Sequence, residues 1–342
     1  MLKEQIVIIG GAKGICGITA KLKPIRRNIT LVQTVFDGGG HTGLIRREMG
    51  TAGFGDLRRG IATLGEDGIL GTMMNHRFER GKYKEDSLGN LMMLALYELS
   101  ELSHEPLAEV VATLSEVVQM RRGRRVLPVS LCISTLCAIL DDGTIVRGEE
   151  EIDARVTDGR HIVKIFLDPP ADLYLETQLA IERADKIILG PGDHNTSVGP
   201  NLIVNGMAEA IGTACDRSQN PASLIYIMNL MTKPGETDEY TASEFAAKIF
   251  SMIGREIDYC ICNDVPIPDD VLEEYRKVGS VPVAIDDRLK KYARHIITGD
   301  FVEVDHKRRV RHGKRIASVI ANCEHIVADE KARKFLKTLR RA

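Results

Sequence analysis

Apolar residues come in short continuous runs along this chain, and loops rich in glycine or hydroxyl groups follow several of them. Gln5 to Ile9 is the first such run. A continuous run of this length reads as a strand buried on both faces of a parallel sheet. Gly10-Gly-Ala-Lys-Gly-Ile-Cys-Gly17 follows, and Ile15, Ile18 and Leu22 then recur at helical spacing until Pro24 stops the helix. Asn28 to Phe36 reads as the second strand, closed by the loop Asp37-Gly-Gly-Gly-His-Thr-Gly43. This βαβ beginning predicts an α/β fold, a Rossmann-like and mostly parallel sheet flanked by helices.

Two apolar stripes come next, Leu91, Leu94, Ala95 and Leu99, then Leu107, Val110, Val111, Leu114, Val117 and Val118. Both predict helices facing the core of one subunit; an exposed face would instead serve a homo-oligomer. From about 126 to 167 the pattern turns to strands, with Asp142-Gly143 as a hairpin turn and His161 to Leu167 as a further strand. This is a small β-rich insertion, either a subdomain or an antiparallel extension of the sheet. The α/β pattern then resumes: helix Glu176 to Ala184, strand Lys186 to Leu189, loop Gly190 to Ser197, helix Asn201 to Ile211. A buried strand ending at Met228 leads into Asn229-Leu-Met-Thr-Lys-Pro-Gly-Glu-Thr-Asp-Glu-Tyr-Thr241. The helix beyond has Phe245, Ile249, Met252 and Ile253 on one face, with Thr241 or Ser243 as its cap. Ile257 to Asn263 is a later strand, and a short mixed tail runs from Val281 to 342. One domain over residues 1–342 is expected.

Composition narrows the function classes. With 342 residues, 44% apolar, 27% charged and a net charge of -2, the chain is an ordinary globular protein with no demand for a nucleic-acid partner. The basic runs Arg121 to Arg125 and Lys307 to Arg315 read as solvated segments, the second also as a candidate phosphate contact. Ile6 to Ile9 is too short for a signal-peptide core, and no window reaches the roughly 18 apolar residues of a membrane span. A cytoplasmic location follows as an expectation. The seven cysteines are scattered and read as reduced, buried thiols. Cys260 and Cys262 share a strand face, but no second pair exists to complete a zinc site.

The chemistry lies in the loops. Glycine after a strand lets backbone N–H groups approach phosphate oxygens, and the next helix offers its positive end. Gly10, Gly11, Gly14 and Gly17 make neither G-x-G-x-x-G nor a P-loop. Asp37 sits where the ribose-binding acid of an NAD site would, which keeps an NAD-dependent dehydrogenase as a remote alternative. It also opens a second Gly-rich loop, with Gly39 and Gly40, that a plain NAD site does not need. Thr51-Ala-Gly-Phe-Gly-Asp-Leu-Arg58 adds Asp56 and Arg58. Arg46, Arg47, Arg58 and Arg59 are candidate bidentate phosphate contacts, and Asp37 and Asp56 are candidate Mg²⁺ holders through water. Gly190, Gly192, Thr196 and Ser197 form a third loop, and Thr232 and Glu236 belong to a fourth. Successive polar loops at strand ends predict a cradle for a diphosphate. His41, His76 and His194 lie in motif loops without forming a triad.

These loops resemble the YvcK/CofD-like family over almost the whole chain, and the YvcK branch, the gluconeogenesis factors, more closely. The run N-L-M-T-K-P-G-E-T-D-E-Y-T from Asn229 is the most specific match. Val35 to Arg46 resembles D-D-G-G-S-S-G-R-L-R, Gly53 to Arg58 resembles P-P-G-D-I-R, and Gly190 to Leu202 resembles G-P-G-S-L-Y-T-S-V-L-P-N-L. Arg77-Phe78, the G-N-L segment with Asn90, Leu127-Pro128 and Asp142 to Glu149 match further motifs. The departures are Gly10-Gly-Ala-Lys-Gly14 for G-G-G-T-G, Gly38 for the second acid, His41-Thr42 for S-S, and Glu85-Asp86 for a G-H pair.

The resemblance implies a cytosolic binder of a nucleotide diphosphate or UDP-sugar, regulating carbon metabolism, cell-wall synthesis and cell shape, with an unknown regulatory protein partner. It implies binding roles for Asn90, Asn201, Tyr275, Arg311 and His312. The alternative it carries is a Mg²⁺-dependent 2-phospholactate-type transferase acting on a deazaflavin, with Asp37 at the reaction centre.

Overall fold

The computed structural model describes residues 3–24, 28–66, 68–100, 103–155 and 159–328. The last stretch of the expected tail, 329–342, lies outside them. In chain order the elements begin β1 (Gln5–Ile9), α1 (Ala12–Leu22), β2 (Asn28–Gln33), α2 (Gly40–Met49), α3 (Gly55–Leu64), α4 (Ile69–Asn75), α5 (Leu88–Leu99), α6 (Pro106–Val117) and β3 (Arg124–Pro128). Then come β4 (Thr135–Leu140), β5 (Ile145–Arg147), α7 (Glu149–Asp153), β6 (Ile162–Asp168), α8 (Leu175–Glu182) and β7 (Lys186–Leu189). A π-turn at His194–Val198 leads to α9 (Gly199–Leu202), α10 (Met207–Cys215), β8 (Ser223–Ile227), α11 (Ala242–Ile253), β9 (Ile257–Asn263) and α12 (Asp269–Lys277). The described chain ends with β10 (Ala293–Gly299), β11 (Val302–Val304), β12 (Val310–His312) and α13 (Arg315–Ala328).

Seven strands form one sheet in the order β10-β9-β8-β7-β1-β2-β3, and every pairing in it is parallel. Chain order runs outward from β1 to β3 and then restarts at β7 on the other side of β1, which is a doubly wound Rossmann arrangement. Its switch point is the crevice between β1 and β7, where open α/β sheets place ligands. α1 packs against α3 and α13 on one face, while α10 packs against α8 and α11 on the other. Both faces are therefore covered, which is why Ile6 to Ile9, Ile187 to Leu189 and Leu224 to Ile227 are all buried apolar residues. No helix among the described residues is long and apolar enough to cross a membrane.

The structure differs from the sequence expectations at several elements. Val126 to Pro128 belongs to β3 of the main sheet, so the separate three-stranded antiparallel sheet starts only at β4. The tail is more than a mixed appendage, because β10 pairs with β9 and extends the main sheet. The expected helix from Asn201 to Ile211 is two helices. Asn205 interrupts it, its backbone exchanging hydrogen bonds with Ala171 and Leu173. The Leu91 stripe faces the core only in part: Leu94 packs half-buried against it, Leu91 is half-buried, and Ala95 and Leu99 are exposed. α5 instead buries Gly89, Asn90 and Met93. Gly89 sits so close to the Met74 carbonyl and the Arg58 side chain that a Cβ would strike both. A polar anchor therefore sets the rotation of this helix against its own apolar pattern.

Thr241 is the cap of α11, in a reciprocal capping box with Glu244, whose carboxylate accepts the Thr241 N–H at 2.7 Å. Thr241→Ala is expected to cost about 1 kcal/mol of stability, read from the shift in the urea midpoint.

Lys186 opens β7 with its ammonium buried. It donates to the carbonyls of Ile320 (3.0 Å) and Ala321 (3.2 Å) and pairs with Glu324 at 2.9 Å. Those carbonyls immediately precede Asn322, where α13 is kinked.

Candidate functional site

The strand ends at the switch point close onto one another. Gly14, in the first turn of α1, faces the Pro191 carbonyl so tightly that a Cβ would overlap it. Gly11 packs against Ser197 in the same way from the preceding turn. The loops after β1 and β7 thus interlock, and they stand between two chambers.

The first chamber, about 340 Å³, is acidic. Asp56, in the first turn of α3, accepts the Ala12 N–H at 2.9 Å. Asp37 accepts the Gly39 N–H at 3.1 Å, and Glu149, at the start of α7, accepts the Gly38 N–H at 3.3 Å. Burial, and then the charge of Asp37, push Asp56 up to about 6 and Glu149 up to about 7. Burial, and then Glu236, raise Asp193 to about 6. Three carboxyl groups, on β2's loop, α3 and α7, therefore compete for positive charge.

The second chamber, about 650 Å³, lies beyond the interlock and is bounded by Gly14, Gly192, Thr232, Tyr275, Arg311 and His312. The Tyr275 hydroxyl accepts the Val310 N–H at 2.8 Å, tying α12 to β12. His312 is half-buried, lies 3.0 Å from the Met228 carbonyl through Nε2, and is pushed down to about 4 by desolvation of its ring. It therefore stands neutral. A third recess of about 440 Å³ adjoins at the ends of β8 and β9 and shares Asn229 and Leu230 with the second chamber.

The expected site residues divide by position. Asp37, Gly39, Gly40, Asp56, Arg58, Thr196 and Ser197 line the first chamber. Gly14, Gly192, Ser197, Thr232, Tyr275, Arg311 and His312 line the second. Gly10 and Gly190 lie against each other behind the wall. Asn90, Asn201 and Glu236 also stand behind it and hold it in shape. Asn90 accepts from Arg58 Nε at 2.9 Å and donates to Thr42 at 3.2 Å. Asn201 donates to the Ser197 carbonyl at 2.8 Å. Glu236 accepts from the Asn195 N–H and the Thr196 hydroxyl, both at 3.1 Å, and so fixes the π-turn.

Three of the expected phosphate arginines have other partners, Arg47 among them, 3.9 Å from Glu150. Arg58 donates to the Met74 carbonyl at 2.8 Å and to Asn75 at 2.9 Å. Arg46 donates to the carbonyls of Phe36 and Ser134. Arg59 lines the first chamber and has no ion pair among the described residues.

The sequence reading passed over Glu149, Asp153, Asp193 and Lys13. Asp153, Asp193 and Glu236 are the one group of three or more acidic or metal-ligating side chains, among the described residues, whose candidate ligand atoms lie within 4.8 Å of one another. Lys233 fills that group, pairing with Asp153, with Asp193 at 2.8 Å and with Glu236 at 2.7 Å. An ammonium does there what a metal would otherwise do. Two departures from the family pattern also meet: His41 Nδ1 accepts the Ser87 N–H at 3.1 Å, and its Nε2 lies 3.4 Å from Asp86.

The architecture is that of a doubly wound α/β protein with its cleft at the switch point of the sheet. The chain belongs to the CofD family: residues 6–302 match the family described as 2-phospho-L-lactate transferase CofD. It is 36% identical over 295 residues to a gluconeogenesis factor of Halalkalibacterium halodurans, covering 85% of this chain and 87% of that protein. It is 33% identical over 306 residues to the gluconeogenesis factor of Bacillus subtilis, covering 88% and 92%. The crystal structure of a Bacillus halodurans protein superimposes with a TM-score of 0.85 at 34% identity, over 93% of this chain and 99% of that one.

Proposed function

We propose that this chain is a cytoplasmic regulator that binds a nucleoside diphosphate or UDP-sugar and acts, like the gluconeogenesis factors it resembles, on carbon metabolism, cell-wall synthesis and cell shape. The observation that carries this reading is the meeting of two chambers at the β1/β7 switch point. Helix starts, glycine loops and Lys13 line that seam, and a further recess adjoins it. The positive N-terminal end of α1 suits phosphate oxygens, with its Ala12 N–H already held by Asp56. The combined space is large enough for a nucleotide with a sugar attached.

Mg²⁺ fits the first chamber. Asp37, Asp56 and Glu149 offer hard oxygen ligands, and burial, with the charge of Asp37, raises the carboxyl groups of Asp56 and Glu149. Asp37 and Asp56 would hold the hydrated ion through water, and it would neutralise diphosphate charge.

Isothermal titration calorimetry with UDP-N-acetylglucosamine and with GDP, each with and without Mg²⁺, tests the reading. Binding with a dissociation constant in the micromolar range is the expected outcome. Absence of heat with every nucleoside diphosphate removes it.

The acidic chamber favours a second reading, a phospholactate-type transferase, because three carboxyl groups beside a diphosphate cradle are more than binding requires. Catalysis would then rest on positioning and charge stabilisation. Incubation with Mg²⁺, a deazaflavin and the activated donor, followed by mass spectrometry, decides it; no product leaves the regulator reading alone.

A further inference from the structure

The two chambers share three lining residues, Lys13, Asp193 and Ser197, and Lys13 is the cation among them. The other cations on the second chamber's wall are engaged or uncharged. Lys233 is held by three carboxylates, Arg311 lies 3.6 Å from Asp305, and Lys21 lies 3.9 Å from Glu303. His312 is kept neutral by burial. Lys13 has no ion pair among the described residues, although its charge is felt at both Asp56 and Asp193. It stands exposed in the first turn of an 11-residue helix, where resemblance to G-G-G-T-G would place a neutral threonine.

We propose, resting on the nucleotide reading above, that Lys13 is the specificity residue that counts phosphates. It takes the distal phosphate of a diphosphate lying across the seam between the chambers, so that this chain prefers diphosphates to monophosphates. A free ammonium at the seam is a point charge for a phosphate oxygen, and a charge-assisted hydrogen bond of this kind changes affinity by about tenfold or more. A ligand with one phosphate, seated by its nucleoside in the second chamber and recess, stops short of the seam. The threonine of the family pattern would offer a hydroxyl there, without the charge. Binding by this chain is accordingly expected to be the more salt-sensitive, since an exposed lysine acts through a screened field.

The test is calorimetry of the wild-type chain, Lys13→Thr and Lys13→Arg with UDP, GDP, UMP, GMP and inorganic pyrophosphate at two salt concentrations. Lys13→Thr is expected to weaken both diphosphates and pyrophosphate by about tenfold or more, to change the monophosphates less than about twofold, and to flatten the salt dependence. Lys13→Arg is expected to retain the preference. Lys13 is exposed, so both variants should melt with the wild type; a melting curve confirms that the comparison is between folded proteins. Equal diphosphate affinity in wild type and Lys13→Thr overturns the assignment of Lys13 and leaves the nucleotide reading standing, as does an equal loss for mono- and diphosphates. Failure of the wild-type chain to bind any of the five removes both.

Discussion

Lys186→Met is expected to destabilise the fold by about 3 kcal/mol, seen as a lower urea midpoint at unchanged slope. The buried ammonium serves two carbonyls, Ile320 and Ala321, that the kink at Asn322 leaves without a regular helical partner. Methionine fills the volume and supplies no donor, so both oxygens stay unpaired in the interior. Glu324 is partly exposed and can turn to water, so Glu324→Gln should cost less than about 1 kcal/mol. A small effect of Lys186→Met, equal to that of Glu324→Gln, would show that the ammonium is not what holds α13 to the sheet.

The second large effect is a pH dependence of stability centred on Asp56. Its carboxyl stands at about 6 in the folded chain against an ordinary value of 3.8, and Glu149 stands at about 7 against 4.5. A raised folded pKa means that the stability this group contributes is complete below about pH 4 and is lost as pH climbs through the folded value. For Asp56 the loss is on the order of 3 kcal/mol, from about two pH units at about 1.4 kcal/mol each. Two histidines, the buried His194 and the half-buried His312, are pushed down to about 3 and about 4, so they act in the opposite sense below their ordinary value of 6.5. The wild-type curve alone mixes these contributions, and the difference between wild type and Asp56→Asn separates them. Asparagine keeps an oxygen for the Ala12 N–H and carries no charge. The variant should therefore gain on the wild type steadily between pH 4 and pH 7, by up to about 3 kcal/mol. Mg²⁺ at pH 8 should stabilise the wild type and leave the variant nearly unmoved. Parallel stability curves for the two proteins would refute the placing of this strain at Asp56.

Much of the fold was legible because its strands are buried on both faces. Ile6 to Ile9, Ile187 to Leu189 and Leu224 to Ile227 are apolar runs that parallel pairing explains, and the polar loops after them mark the strand tips. β10 was harder to see. It is an edge strand in which Arg294 and His295 are exposed on opposite faces, so its pattern has no continuous apolar run. α5 misled because local periodicity carried no information about Arg58, the group on which it settles. Within the site, the loop glycines and the acids beside them could be read from spacing. Glu149 could not, since it meets Gly38 across 111 positions of chain. Glu236 was legible as a member of a dense polar motif, but its place behind the π-turn depends on Asn195 and Thr196 arriving from another loop.

The contact between His41 and Asp86 bears on how this protein can be re-engineered. The first turn of α2 and the turn before α5 bring two departures from the family pattern together, an imidazole and a carboxylate 3.4 Å apart. Transplanting the relatives' serine pair into positions 41 and 42 alone would strand Asp86 beside a hydroxyl too short to answer it. A hybrid that exchanges the two segments together is the one expected to keep the wall of the acidic chamber in place.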